Sequence, residues 1–224
     1  MTQLEYKLHI DDVIRKVEKA RLRVSGHHIV KIVAVSKYSK TQEIEALYKI
    51  GQRAFGENRV QDLKAKSQEL EESPLEWHFI GNLQKNKINN LLEINPTLFQ
   101  ALDSYELALE LQKKLETKNM TLDCLVQVNS AKEASKHGFM PEELLVMYAK
   151  IETECKNIKL RGLMSIGAHS KDKAVIKQSF DTTYKLYKAL PNATICSMGM
   201  SGDFELAIEC GSNMIRLGSV MFNK

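Results

Sequence analysis

Lys37 closes the apolar run VKIVAVSK, and Ser39–Lys40–Thr41 opens a helical pattern directly after it. A primary amine in that position can attack a carbonyl and form an imine. Side chains alternate along a strand, so Val33, Val35 and Lys37 share one face. If that face is the interior of a barrel, Lys37 stands at the carboxyl-end rim above two valine layers, where such barrels place their chemistry. The expectation is a partly desolvated amine; the alternative is an ordinary rim lysine whose head group reaches solvent.

Two glycine–serine elements lie at the other end of the chain. In SMGMSGDFELAIECG, Gly199, Ser201 and Gly202 permit a bare backbone turn, and Asp203 is placed to cap the helix that follows. In MIRLGSVMF, Gly218–Ser219 offers a second amide and hydroxyl. If these turns follow the seventh and eighth strands of a barrel, they occupy the customary phosphate site of that fold. Set against a rim lysine, they favour a phosphorylated carbonyl ligand. Arg216 shares strand parity with Gly218 and should face inward, where it needs an acceptor from a ligand or from a structural ion pair.

The elements that must position these groups are legible as an alternation. Apolar runs at Ile29–Lys37, Ala54–Glu57, Trp77–Gly81, Thr97–Ala101, Leu122–Asn129, Leu160–Ile166, Thr194–Gly199 and Met214–Ser219 read as strands. Helical patterns at Thr41–Ile50, Val60–Leu70, Asn86–Leu92, Ser104–Glu116, Pro141–Lys156 and Lys173–Leu190 separate most of them. A leading amphipathic helix, residues 3–25, carries Leu4, Leu8, Val13, Val17, Ala20 and Val24 as its apolar positions. The pattern predicts an α/β fold, a (β/α)8 TIM barrel with an extra N-terminal helix, against a doubly wound sheet as the alternative. No linker or composition shift divides the chain, so residues 1–224 read as a single domain.

With 32 basic and 28 acidic residues the formal charge is +4, and the basic residues form no stripe, so nucleic-acid and membrane partners gain no support. Cys124, Cys155, Cys196 and Cys210 have no metal-knuckle or redox spacing and read as buried thiols of a reducing compartment. The charged N-terminus lacks the pattern of a signal peptide, and a cytoplasmic monomer is expected. His9, His27, His28, His78, His137 and His169 show no metal-site spacing, so metal is read as none; His78 reads as a hydrogen-bonded structural residue and Trp77 as core packed on a helix. Glu57 is expected to pair with Arg59 or another base at the rim.

Taken in order, VAVSKYSKTQEI, FGENRVQD, EWHFIGNLQKNK, LVQVNSAKEASKHGF, LRGLMSIGA and SMGMSGDFELAIECGSNMIRLGS resemble the pyridoxal phosphate homeostasis protein family over nearly the whole chain. That family looks like the N-terminal barrel of alanine racemase standing alone, a fold-type III barrel that binds pyridoxal 5′-phosphate (PLP). The resemblance implies a Schiff base between PLP and Lys37, with Asn58 beside the cofactor and Met164 walling its pocket. It also implies that Ser201, Gly218 and Ser219 hold the phosphate, that Gly202 belongs to the cofactor-binding set, and that Arg216 faces the pyridine nitrogen. Lys136, in EASKHGF, matches a lysine linked with cofactor handling in relatives. Two departures stand out: the chain ends at Phe222–Asn223–Lys224 without the family's glycine- and arginine-containing tail, and His169 replaces a common proline.

A racemase needs two acid–base groups on opposite faces of the substrate carbon, and the barrel consumes nearly every residue. The expected function is therefore a non-catalytic PLP carrier in intracellular PLP homeostasis, with PLP-dependent apoenzymes as recipients. The alternatives are a PLP-dependent racemase or decarboxylase, and a lysine-dependent aldolase acting on a sugar phosphate.

Overall fold

The computed structural model describes residues 3–222; Met1, Thr2, Asn223 and Lys224 lie outside them. Helix α1 (Gln3–Val24) leads into β1 (Lys31–Val35), α2 (Thr41–Lys49), β2 (Ala54–Glu57), α3 (Val60–Glu69) and β3 (Glu76–Phe79). A 3₁₀ turn at Lys85–Lys87 opens α4 (Ile88–Ile94), followed by β4 (Leu98–Leu102), α5 (Tyr105–Thr117), β5 (Leu122–Val128) and α6 (Leu144–Glu154). The chain ends with β6 (Ile158–Ser165), α7 (Lys173–Lys188), β7 (Ile195–Ser197), α8 (Phe204–Glu209), β8 (Met214–Leu217) and α9 (Ser219–Phe222).

The eight strands are parallel and pair in chain order around a closed ring, β8 returning to β1 from Lys31↔Met214 to Ala34↔Leu217. This is the (β/α)8 barrel with its N-terminal helix, and closure removes the doubly wound alternative. Helices cover the outer face while side chains fill the interior, so β4 and β8 are buried at every position. Trp77 is buried on β3, its ring centroid 6.1 Å from that of Phe55.

Three local expectations need correction. The buried stripe of α1 is Tyr6, Ile10, Val13, Val17 and Ala20, whereas Leu4, Leu8 and Val24 are exposed. Extending the spacing of positions 13, 17 and 20 backwards at three- and four-residue steps reaches 10 and 6, not 8 and 4. Strand β1 stops at Val35, and only the Ser36 N–H continues the ladder, to the Gly56 carbonyl at 3.0 Å. Helix α6 begins at Leu144, after a turn in which the Met140 N–H donates to Glu143 Oε1 at 3.0 Å.

One glycine is required by close approach. The β5–β6 register slips so that Cys124 faces Leu160 and Leu125 faces Gly162, which leaves Arg161 as the extra residue of a bulge. At Gly162 (φ +143°) a Cβ would lie 1.9 Å from the Ile195 carbonyl oxygen, so a bare backbone is needed there.

Candidate functional site

Lys37 follows β1 in an exposed turn, its ammonium 5.1 Å from the centroid of the Tyr38 ring. The amine is thus solvated, not partly desolvated as expected, because the strand ends two residues earlier and delivers it to the lip of the barrel. The turn itself is fastened from below. The Ser36 carbonyl accepts from the Ser39 N–H at 2.8 Å and from Lys66 Nζ at 2.7 Å, and the Ser36 hydroxyl donates to Glu57 Oε1 at 2.7 Å. Lys66, on α3, also donates to Glu57 Oε1 at 2.6 Å. The base that Glu57 pairs with is therefore Lys66; the carboxylate is fully buried and its second oxygen has no partner among the described residues.

The loops after β7 and β8 meet opposite this turn. Ser201 Oγ accepts from the Gly218 N–H at 3.2 Å and the Val220 N–H at 3.4 Å, so one hydroxyl joins the two glycine–serine elements. Asp203 stands at the N-cap position of α8, but its side chain makes no capping bond there; its Oδ1 accepts from the Met200 N–H at 2.6 Å and closes the loop on itself. Gly199 (φ +93°) brings that loop against α8, where a Cβ would lie 2.6 Å from the Ala207 methyl. Burial raises the Asp203 pKa, against the opposing pull of Arg216 and Lys136.

Arg216 is 4% exposed. Its Nη1 donates to the Ser197 carbonyl at 2.9 Å and the Ser197 hydroxyl at 2.7 Å, and its Nη2 to the Ser165 carbonyl at 2.7 Å. All these partners are neutral oxygens. Burial depresses the guanidinium to about 10, far enough above neutrality to leave it a cation.

A cavity of about 390 Å³ lies between these parts, within the size range of small-molecule sites. Lys37, Ser201, Gly202, Arg216, Gly218 and Ser219 all line it, with Val35, Ile80 and Tyr38 as apolar wall. Asn58 and Met164 do not. Asn58 follows the end of β2 outward and lines an adjacent cavity with Arg59, Gly81, Gln84 and Lys87. Met164 is 1% exposed within β6 and packs in the core. Lys136 also lies outside the cavity lining, donating to the Gly167 carbonyl at 2.6 Å and to Glu133 Oε1 at 2.9 Å. His169 is exposed, and its N–H donates to Glu133 Oε1 at 2.9 Å.

Known proteins resemble this chain over nearly its whole length. The family model of the alanine racemase N-terminal domain matches residues 8–223. A Helicobacter pylori protein named pyridoxal phosphate homeostasis protein is 54% identical over 99% of this chain and 100% of its own. This chain belongs to the pyridoxal phosphate homeostasis protein family. The human protein of that name is 36% identical over 87% of this chain and 76% of its own. PipY of Synechococcus elongatus, solved with PLP bound, superposes at a TM-score of 0.78 with 31% identity, over 92% of this chain and 99% of that one. An alanine racemase of Clostridium difficile shares the fold alone, at a TM-score of 0.72 and 15% identity over 94% of this chain and 55% of that one.

Within this family member, the parts that sequence reasoning missed lie behind the cavity: Ser165 and Ser197, which hold Arg216, and Ser36 and Lys66, which hold the Lys37 turn. Serines at strand ends carry no spacing signal, and nothing local to Lys66 on α3 marks it as the partner of a buried carboxylate. Among the described residues no helix is long and apolar enough to cross a membrane, and no group of His, Cys, Asp and Glu is arranged to hold a metal ion. The four cysteines are free and buried, and burial pushes the Cys196 thiol up to about 12.

Proposed function

We propose that the chain, as one domain of residues 1–224, binds PLP in the Lys37 cavity and serves intracellular PLP homeostasis by buffering or delivering the cofactor. The observation that carries this reading is the meeting of Lys37 with Ser201, Gly202, Gly218 and Ser219 around one cavity. The names of the curated relatives and the PLP-bound PipY structure support it.

The residues present fit such a ligand: an exposed amine, two backbone amides that donate to a serine hydroxyl, and a buried cation whose bonds among the described residues go to neutral oxygens. When bound, PLP supplies an aldehyde that condenses reversibly with a primary amine as a Schiff base, releasing water. Lys37 is the amine. Ser201 and Ser219, with the N–H groups of Gly218 and Val220, hold the phosphate. Arg216 would offer a guanidinium donor to the pyridine nitrogen, a partner that would favour the unprotonated ring and so a weak electron sink.

A carrier role is favoured over turnover. Lys37 and Tyr38 are adjacent in one turn, whereas acid–base work on both faces of a carbon needs opposed groups. The curated relatives are named homeostasis proteins, not enzymes. We place the chain in the cytoplasm as a monomer that supplies PLP-dependent apoenzymes; four free, buried thiols suit a reducing compartment. Loaded protein should show visible imine absorption that borohydride converts to a stable adduct, and Lys37→Ala should lose both. A protein without that absorption would end the reading, and amino-acid turnover lost in Lys37→Ala would replace it with an enzyme.

A further inference from the structure

We infer that Ser197 and Gln100 are positioning residues for Arg216, at the head of a one-directional hydrogen-bond column that crosses the barrel interior to His78. The inference rests on the PLP-binding reading and extends it to residues that do not line the Lys37 cavity.

The direction of the column follows from its first member. A guanidinium only donates. Ser197 Oγ accepts from Arg216 Nη1 at 2.7 Å, so its single proton goes elsewhere, to Gln100 Oε1 at 2.7 Å. That contact fixes the carboxamide: its nitrogen donates to His78 Nδ1 at 2.8 Å and to the Met214 sulfur at 3.4 Å. With Nδ1 as acceptor, His78 carries its proton on Nε2. Burial and nearby Lys31 lower its pKa to about 4, so the ring is neutral. The order Arg216, Ser197, Gln100, His78 crosses from β8 to β7, β4 and β3.

Every link is buried, with Ser197 and Gln100 fully inaccessible and His78 1% exposed. Barrel interiors of this type are normally filled by branched apolar side chains, so a polar column there needs a function that hydrophobic packing does not meet. Among the described residues its one unanswered atom is His78 Nε2, at the far end, 4.0 Å from Glu76 Oε2. At the near end each donor and acceptor has one available orientation, which removes rotational freedom from the guanidinium. Arg216 is thereby locked by neutral partners, and its charge stays available to a ring nitrogen in the cavity.

The test loads the full chain and its variants with PLP and reads the dissociation constant, the absorption band and the pH midpoint of that band, beside the melting temperature of each apo protein. Ser197→Ala, which removes a hydrogen bond to a charged group, should weaken PLP retention roughly tenfold. Gln100→Met, which reaches Arg216 only through Ser197, should weaken it in the same direction by less, and both should shift band and midpoint. Gln100→Glu, still an acceptor for Ser197 but without a donor for His78 Nδ1 and with a buried negative charge in the column, should shift the band and its pH midpoint as well. If Ser197→Ala does not fold, Ser197→Cys, with a weaker acceptor, reads the same shift. Folded variants with lowered melting temperatures but unmoved band and affinity would overturn the inference. Failure of the wild-type chain to bind PLP at all would instead overturn the function on which it rests.

Discussion

Lys66→Met should be among the most damaging single substitutions outside the cavity. Glu57 is wholly buried, and among the described residues Lys66 is its one cationic contact, at 2.6 Å; after the change the carboxylate keeps a hydroxyl donor, Ser36 Oγ at 2.7 Å. Breaking a buried ion pair from one side costs about 3–5 kcal/mol, because a charge is left without compensation. For a chain of 224 residues, each kcal/mol moves Tm by about 2–4 °C, so the loss should be roughly 6–20 °C. Thermal unfolding of the apo protein by circular dichroism measures it. Adding Glu57→Gln removes the stranded charge and should recover most of the loss. The double variant still lacks the Lys66 donor to the Ser36 carbonyl, so its borohydride-trapped yield at Lys37 should remain low. A fall of less than about 2 °C in the single variant, near 1 kcal/mol or below, or a double variant no more stable than the single one, would refute the reasoning.

His78 should make stability pH-dependent. Its folded-state pKa of about 4 lies below the ordinary 6.5 because of burial, so the unfolded chain binds a proton the folded chain refuses. Its contribution is complete above the unfolded value and fades as pH falls toward 4, by about 3 kcal/mol in all; urea unfolding should show this slope, and His78→Gln should flatten it. Gly162→Ala, which forces a Cβ to within 1.9 Å of the Ile195 carbonyl oxygen at φ +143°, should cost more than about 2 kcal/mol. Gly26→Ala, with nothing within 4 Å, should stay within about 0.5 kcal/mol of wild type; equal losses at the two glycines would contradict the packing argument.

Sequence pattern reached the barrel because its strands are short and largely buried, and so read as apolar-rich runs between helical spacings. β2 is bounded at Ala54–Glu57 in both readings. The two glycine–serine turns were legible for a related reason: a bare backbone turn after a strand has few purposes other than close approach. Exposure at strand ends was not legible, since whether Lys37 sits inside or on the lip depends on where the ladder stops, and that is set by pairing with β2. Partners distant in sequence were equally hidden. Nothing local to Arg216 says that its acceptors are Ser165 and Ser197, or that Lys66 reaches across to the carbonyl before Lys37. For α1 the failure was one of phase, because Leu4 and Leu8 are as apolar as the residues that do face the barrel.

The exposed amine bears directly on the choice between carrier and catalyst. A site that removes a proton from carbon gains from excluding water, which strengthens its electrostatics and protects reactive species from hydrolysis. A carrier needs the opposite, since release from a Schiff base consumes water and requires room for the aldehyde to depart. The rigidity of this site is correspondingly uneven. Arg216 is held by three hydrogen bonds to fixed oxygens, and the Lys37 turn is pinned through Ser36 to a buried ion pair. The lysine side chain itself projects past those anchors into solvent beside Tyr38, which is 79% exposed. On the proposed function, the fixed parts recognise the phosphate and ring while the one covalent contact stays open to water, which makes capture selective and keeps it reversible.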